Sequence, residues 1–206
     1  MRIPEQRKGM NLLHYIHHKT KDVRLQKAEE CPLPGKWAIP RNRIPGKAIL
    51  YTHGGAYVYG SPSTHEALIS RLAEKSGVAV FAYDYRLAPE HPFPAALEDA
   101  VAAFDYLLAQ GMEPRDIVLC GDSAGGGLSL ALALALRDRG RQLPAALVVI
   151  SPWTDLTESG DSHYRNAEID PLISSEELRE DALLYAGNQD LHNPYISPLY
   201  GDFTGF

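Results

Sequence analysis

The sequence predicts an α/β fold with a mostly parallel sheet and flanking helices. Three observations carry that expectation. Short apolar strands alternate with helical segments along most of the chain. Some of those strands, "VAVFAYDY" above all, are apolar without a break, as in strands covered on both faces. Finally, "CGDSAGGG" at residues 120–127 lies between an apolar strand and a long helical stretch, which describes a tight turn with a serine at its apex.

Taken in order, residues 1–22 carry Arg2, Arg7, Lys8, Lys19 and Lys21 against Glu5 and Asp22. Leu12, Leu13 and Ile16 are spaced to line one helical face, so this stretch reads as an N-terminal arm or cap remnant ahead of a domain at 23–206. "DVRLQKAE" and "GKWAIP" read as two short strands joined by "CPLPG", and "KAILYTHGG" as a strand running into glycines. Ser63-x-x-Glu66 has capping-box spacing, with Ala67, Leu68 and Leu72 following and Gly77 as the stop. After "VAVFAYDY", the Pro-rich "RLAPEHPFP" turns into a helix expected at about 94–108. "DIVLCGD" is the next strand, 124–139 the helix after the serine, and "AALVVISPW" another buried strand. Ser174-x-x-Glu177 opens a helix through Leu184, and the last twenty residues read as loop.

The bulk numbers are those of a globular chain: 206 residues, 45% hydrophobic and 22% charged. A net charge of −6 argues against a nucleic-acid partner. Cys31 and Cys120 form no zinc or disulfide pattern, and Cys120 inside an apolar strand reads as a reduced thiol, so the expected location is cytoplasmic. The longest apolar run, 128–136, is far short of the ~20 residues that span a bilayer, so no stable membrane insertion is expected. No metal-ligand spacing and no phosphate-binding glycine pattern is present, so no metal and no cofactor is expected.

The chemistry sits in two motifs. Gly121-Asp122-Ser123-Ala124-Gly125 fits G-x-S-x-G, in which a nucleophile on a sharp turn needs nearly side-chain-free neighbours two residues to either side. His53-Gly54-Gly55-Ala56 ends a strand, and adjacent glycines let main-chain N–H groups turn toward one point. Such a loop, paired with the amide of Ala124, would give two or three donors for an oxyanion beside Ser123.

With "HGGAYVYGSPSTHEAL", "YDYRLAPEHPFPAALEDA", "GDSAGGGL", "SPWTDL" and "DPLIS" in that order, residues 23–206 resemble the hormone-sensitive-lipase-type branch of the α/β-hydrolases, bacterial carboxylesterases and lipases. The resemblance implies a serine esterase acting on short- to medium-chain acyl esters, with Ser123 as nucleophile and His53 shaping the oxyanion loop. It also implies Gly54, Gly55, Ala56 and Ala124 as the amide donors of the oxyanion hole. It makes 160–195 a cap- or lid-like segment. Ala56 stands where the family usually has glycine. Asp84 and Arg86 are expected to fix loops, and Asp122 to bond the neighbouring turn.

In this fold the chain order is serine, acid, histidine. The chain is expected to lack the last two strands and, with them, the usual Asp and His of the triad. Asp155, His163 and His192 are the candidate substitutes, with Asp170 a second acid. Two alternatives stay open: a catalytically silent fragment or small-ligand-binding module, and amide or thioester cleavage. An uncovered apolar edge near 145–151 would recruit a second copy or a second chain.

Overall fold

The structure, a computed structural model, describes residues 3–5, 7, 20–170 and 173–206. The expected helical face of Leu12, Leu13 and Ile16 lies outside the described residues, as do Pro171 and Leu172 of "DPLIS". Six strands form one sheet: β1 (Val23–Lys27), β2 (Gly35–Pro40), β3 (Ala48–Thr52), β4 (Ala79–Tyr83), β5 (Ile117–Asp122) and β6 (Ala146–Ile150). Their spatial order is β1-β2-β4-β3-β5-β6. β4, β3, β5 and β6 run parallel, whereas β1–β2 and β2–β4 pair antiparallel.

Side chains alternate across each strand, and the two faces fill separately. Ile49, Tyr51, Val80, Ala82 and Cys120 face one way, onto Ile69 and Ala73 of helix α1 (Glu66–Ser76). Leu50, Phe81, Tyr83 and Leu119 face the other, onto α2 (Ala95–Ala109) and α3 (Ser123–Asp138). Helix α3 is apolar nearly all round because it is buried nearly all round; Leu128 and Leu132 are 0% and 1% exposed. Truncating such a leucine to alanine typically costs about 2–5 kcal/mol. Two further helices, α4 (Asp161–Arg165) and α5 (Ser175–Ala186), follow the sheet, and α5 is capped by Ser174 Oγ accepting from Glu177 N at 3.4 Å, as its spacing predicts. Among the described residues no helix is long and apolar enough to cross a membrane.

Two expectations need correction. The capping box at Ser63 and Glu66 does not form: His65 is the N-cap and no side chain caps the helix. Lys36 of β2 takes both groups instead, its Nζ donating to Ser63 Oγ at 2.7 Å and to Glu66 Oε1 at 2.5 Å. A long-range ion pair thus outcompetes a local cap. Strand β6, expected to be buried, is not: Val148 and Ile150 are 49% and 42% exposed. Val148 pairs in register with Cys120, so it faces the α1 side of the sheet, where α1 packs on β1, β2 and β4 and leaves β6 bare.

The second edge of β6 has no partner strand among the described residues. We propose that it pairs with β6 of a second copy, since a two-fold contact satisfies both open edges at once. Sedimentation of the 206-residue chain should then show a dimer, and Val148→Lys should shift it toward monomer. A parent chain that sediments as a clean monomer rules the pairing out.

Candidate active site

Strand β5 runs straight into α3, and the junction is Ser123, whose φ of 50° lies in the left-handed region. A non-glycine residue held there costs about 1–3 kcal/mol and persists only where its surroundings fix it. The surroundings are close. A Cβ on Gly125 would collide with the carbonyl oxygens of Thr52 and His53, and one on Gly121 would collide with Gly125 O. The turn is thus pressed against the end of β3. Trp153 N donates to Ser123 O at 2.8 Å, which ties the turn to the loop after β6.

The loop leaving β3 bends back through Gly55, Ala56 and Tyr57 at φ of 125°, 52° and 62°. Val58 N and Tyr59 N close it onto Gly55 O at 2.9 and 2.7 Å. Among the described residues the N–H groups of Gly55 and Ala56 donate to no protein acceptor, and Ala124, in the first turn of α3, has no carbonyl a turn back to bond. The N–H of Gly54 differs from these. It donates to Asp122 Oδ1 at 2.9 Å, so it is withdrawn from the donor set in which the sequence reading placed it.

His53 is fully buried, its Nδ1–H donating to Gly54 O at 2.8 Å and its ring stacked on Tyr85 at 4.2 Å. Burial drives its pKa down to about 3, only partly opposed by the bond to Gly54, so the ring stays neutral. Tyr85 Oη donates to His53 O at 2.9 Å. Arg86 donates through Nε to both oxygens of Asp99 at 3.0 Å and fixes the turn into α2, whereas Asp84 stands 4.0 Å from His53 Nε2.

A cavity of about 320 Å³ opens at Ser123, walled by Trp153, Asp155, His163, Asp170 and Leu178. Asp155 Oδ1 accepts from Thr157 N and Oγ1 at 2.9 and 2.5 Å, and Oδ2 from Ser159 N and Oγ at 2.8 and 2.7 Å. Burial raises this carboxyl, but the four bonds more than offset it and hold the group below the ordinary carboxylate range. His163 reaches the cavity from α4, a short helix the sequence reading missed. His192 lies elsewhere, with Nδ1 2.9 Å from Asp190 Oδ1 and its ring 4.8 Å from that of Tyr200. The structure therefore brings together Ser123, Asp155 and His163 and leaves His192 out. Among the described residues no histidine is hydrogen-bonded to Ser123, and no group of three metal-ligating side chains forms.

Two supports of the site were not foreseen. Tyr185 of α5 stacks on Tyr57 at 3.7 Å, with Phe93 N donating to Tyr185 O at 2.7 Å, so α5 is fixed to the loop of open amides. Arg7 donates to Val58 O, to Ala88 O and to both oxygens of Glu90 at 2.7–3.0 Å, which clamps the same loop from the other side. Arg7, Tyr57 and Tyr185 lie far apart in the chain, so no local pattern announces these contacts.

Parallel strand, left-handed serine and buried helix, in that order, make the strand–turn–helix of an α/β-hydrolase fold. Comparison with known proteins agrees. Residues 49–206 match a family described as alpha/beta hydrolase fold. An acetyl-hydrolase of Streptomyces hygroscopicus is 48% identical over 170 residues, covering 82% of this chain and 56% of that protein. An esterase of Acinetobacter venetianus is 40% identical over 159 residues, covering 76% and 52%. Among solved structures, an esterase from the bacterial hormone-sensitive lipase family superposes with a TM-score of 0.95 at 40% identity, over 100% of this chain and 69% of that one. EstE5 soaked with p-nitrophenyl butyrate gives 0.92 at 39%, with the same coverage. The chain spans about half the length of the curated relatives it matches. It belongs to the alpha/beta hydrolase fold family, in its hormone-sensitive-lipase-type branch.

Two buried groups near the site pull stability in opposite directions with pH. His53 has its pKa lowered from 6.5, so the unfolded chain takes up the proton first, and stability is lost as pH falls from 6.5 toward about 3. Asp181 on α5 is raised to about 7, first by burial and then by Glu177 and Glu180. Its contribution is fully present below about pH 4 and lost as pH rises through about 7. Asp181→Asn should therefore raise Tm by a few degrees at about pH 8, and the gain should shrink toward about pH 4. Thermal melts showing an equal gain at both ends would contradict this assignment.

Proposed function

We propose that this chain is a serine carboxylesterase of short- to medium-chain acyl esters, working through an acyl-enzyme on Ser123. Ser123 Oγ attacks the ester carbonyl carbon and its proton passes to a base. The resulting oxyanion takes hydrogen bonds from the N–H groups of Gly55, Ala56 and Ala124. Collapse expels the alcohol, which takes that proton from the base. Water, giving its own proton to the base, then hydrolyses the acyl-serine, and the proton returns to Ser123 Oγ. The observation that carries the reading is Ser123 in left-handed backbone on the wall of a cavity, together with a loop whose Gly55 and Ala56 N–H groups donate to no protein acceptor among the described residues. It is supported by relatives named acetyl-hydrolase and esterase.

The base in this reading is His163, which shares the cavity with Ser123, while His192 does not. Asp155 is the carboxylate on the same wall, and residues 160–195 act as a lid-like segment over the cavity. His53 keeps the role of shaping the amide loop, since its ring is stacked and its Nδ1 is engaged. A second reading, a small-ligand-binding module, is favoured by one observation: no histidine is bonded to Ser123 among the described residues.

Hydrolysis of p-nitrophenyl butyrate separates the two. The esterase reading expects turnover that Ser123→Ala abolishes and that His163→Ala lowers severely. Without a triad base, an oxyanion hole and binding alone leave only about 10³–10⁴-fold acceleration over water. Equal feeble rates for the parent chain and Ser123→Ala would favour the binding module.

A further inference from the structure

The geometry points to Asp122 as a positioning residue that locks the amide loop to the nucleophile turn, with Tyr51 and His65 holding its carboxylate in place. The inference rests on the esterase reading for what the loop does, and on the following contacts for how it is held.

Asp122 is the last residue of β5 and the neighbour of Ser123, so whatever it grips is fixed relative to the nucleophile. What it grips is the first peptide of the loop: Gly54 N donates to Oδ1 at 2.9 Å. The approach is so close that a Cβ on Gly54 would overlap Oδ2. A glycine is required here for clearance, whereas Gly55 one residue on is required for its φ of 125°. The two adjacent glycines therefore have different tasks.

The carboxylate itself is three-quarters buried from solvent, with a side-chain exposure of 22%, and is held on two more sides. Tyr51 Oη, on the α1 face of β3, donates to Oδ1 at 2.6 Å. His65 Nε2, at the start of α1, lies 3.4 Å from Oδ2. The His65 ring is oriented in turn by Thr64. Its Nδ1 lies 2.9 Å from Thr64 Oγ1 and 3.2 Å from Ser61 O, and Thr64 Oγ1 itself donates to Ser61 O at 2.8 Å. Burial would raise the Asp122 carboxyl, but His65, the Tyr51 hydroxyl and Gly54 N–H together hold it below the ordinary range. The group is thus kept as an acceptor, which is what the loop amide needs. Removing it leaves the Gly54 N–H without its acceptor and the next two residues, the donors Gly55 and Ala56, free to swing.

The test reads the Gly54 amide directly. His53–Gly54 is the only His-Gly pair in the sequence, so ¹³C-carbonyl histidine with ¹⁵N-glycine labelling isolates one N–H signal. In Asp122→Ala that signal should move upfield and exchange faster with solvent. In Asp122→Asn, which keeps an oxygen acceptor, it should stay near the parent position. On p-nitrophenyl butyrate the alanine variant should lose about 10²-fold in kcat with KM little changed, and asparagine should recover most of it. Tyr51→Phe serves where the alanine variant does not fold, with a smaller shift in the same direction. An unmoved Gly54 signal in the alanine variant, or in Tyr51→Phe where alanine is unusable, overturns the inference. So does a moved signal with unchanged kcat. If the parent chain turns over no ester at all, the shift alone sustains the lock, and it is the esterase reading that fails.

Discussion

The whole site depends on how near two pieces of backbone come: the carbonyls of Thr52 and His53 at the end of β3, and the first turn of α3 at Gly125. Parallel pairing of β3 with β5, down to Thr52 opposite Gly121, sets that approach. Once it is set, the chain leaving β3 has to pass within hydrogen-bonding distance of Asp122, and the serine following Asp122 has to turn sharply to enter the helix. The amide loop is then held against the turn that carries Ser123. A side chain at Gly121 or Gly125 would push the strand and helix apart and separate the two halves of the site at once.

Strain accumulates around this contact. Ser123, Ala56, Tyr57 and Ser151 all have φ between 44° and 62°. Each costs about 1–3 kcal/mol, a sum comparable to the net stability of an ordinary domain. The packing around them explains why they persist. Tyr185 stacks on Tyr57, Trp153 N bonds Ser123 O, and Arg7 ties Val58 to Ala88 and Glu90. Helix α5 and the loop after β6 therefore act as braces as well as walls of the cavity.

The strands and the long helices were legible because their signals are local. β3 and β4 are unbroken apolar runs, and α3 follows a glycine-rich turn. What escaped depends on contacts distant in sequence. Ser63 and Glu66 have the letters of a cap, but Lys36 on a neighbouring strand takes both. "ALVVI" identifies a strand yet says nothing about which helix covers it, and α1 does not reach β6. In the site, Gly54 and Gly55 are the same letter, and only the position of Asp122 separates them. His163 and His192 read alike as loop histidines until α4 turns one of them to the cavity.

Asp122 shows why such a distinction is chemical as well as geometric. A carboxylate one residue from a nucleophile invites a reading as an acid partner. Here its Oδ1 already accepts from Gly54 N and Tyr51 Oη, and its Oδ2 faces His65 on the α1 side of the sheet, while the cavity opens toward α4 and α5. Asp122 and His65 resemble two parts of a catalytic relay but are turned away from the oxygen they would have to serve. The same pairing does different work behind the loop. It keeps a charged acceptor fixed against one amide, while the next two amides donate to no protein acceptor among the described residues. An acid–histidine pair near a serine is a relay only when its histidine can reach the serine; on the far side of a donor loop it is part of the frame that holds the donors still.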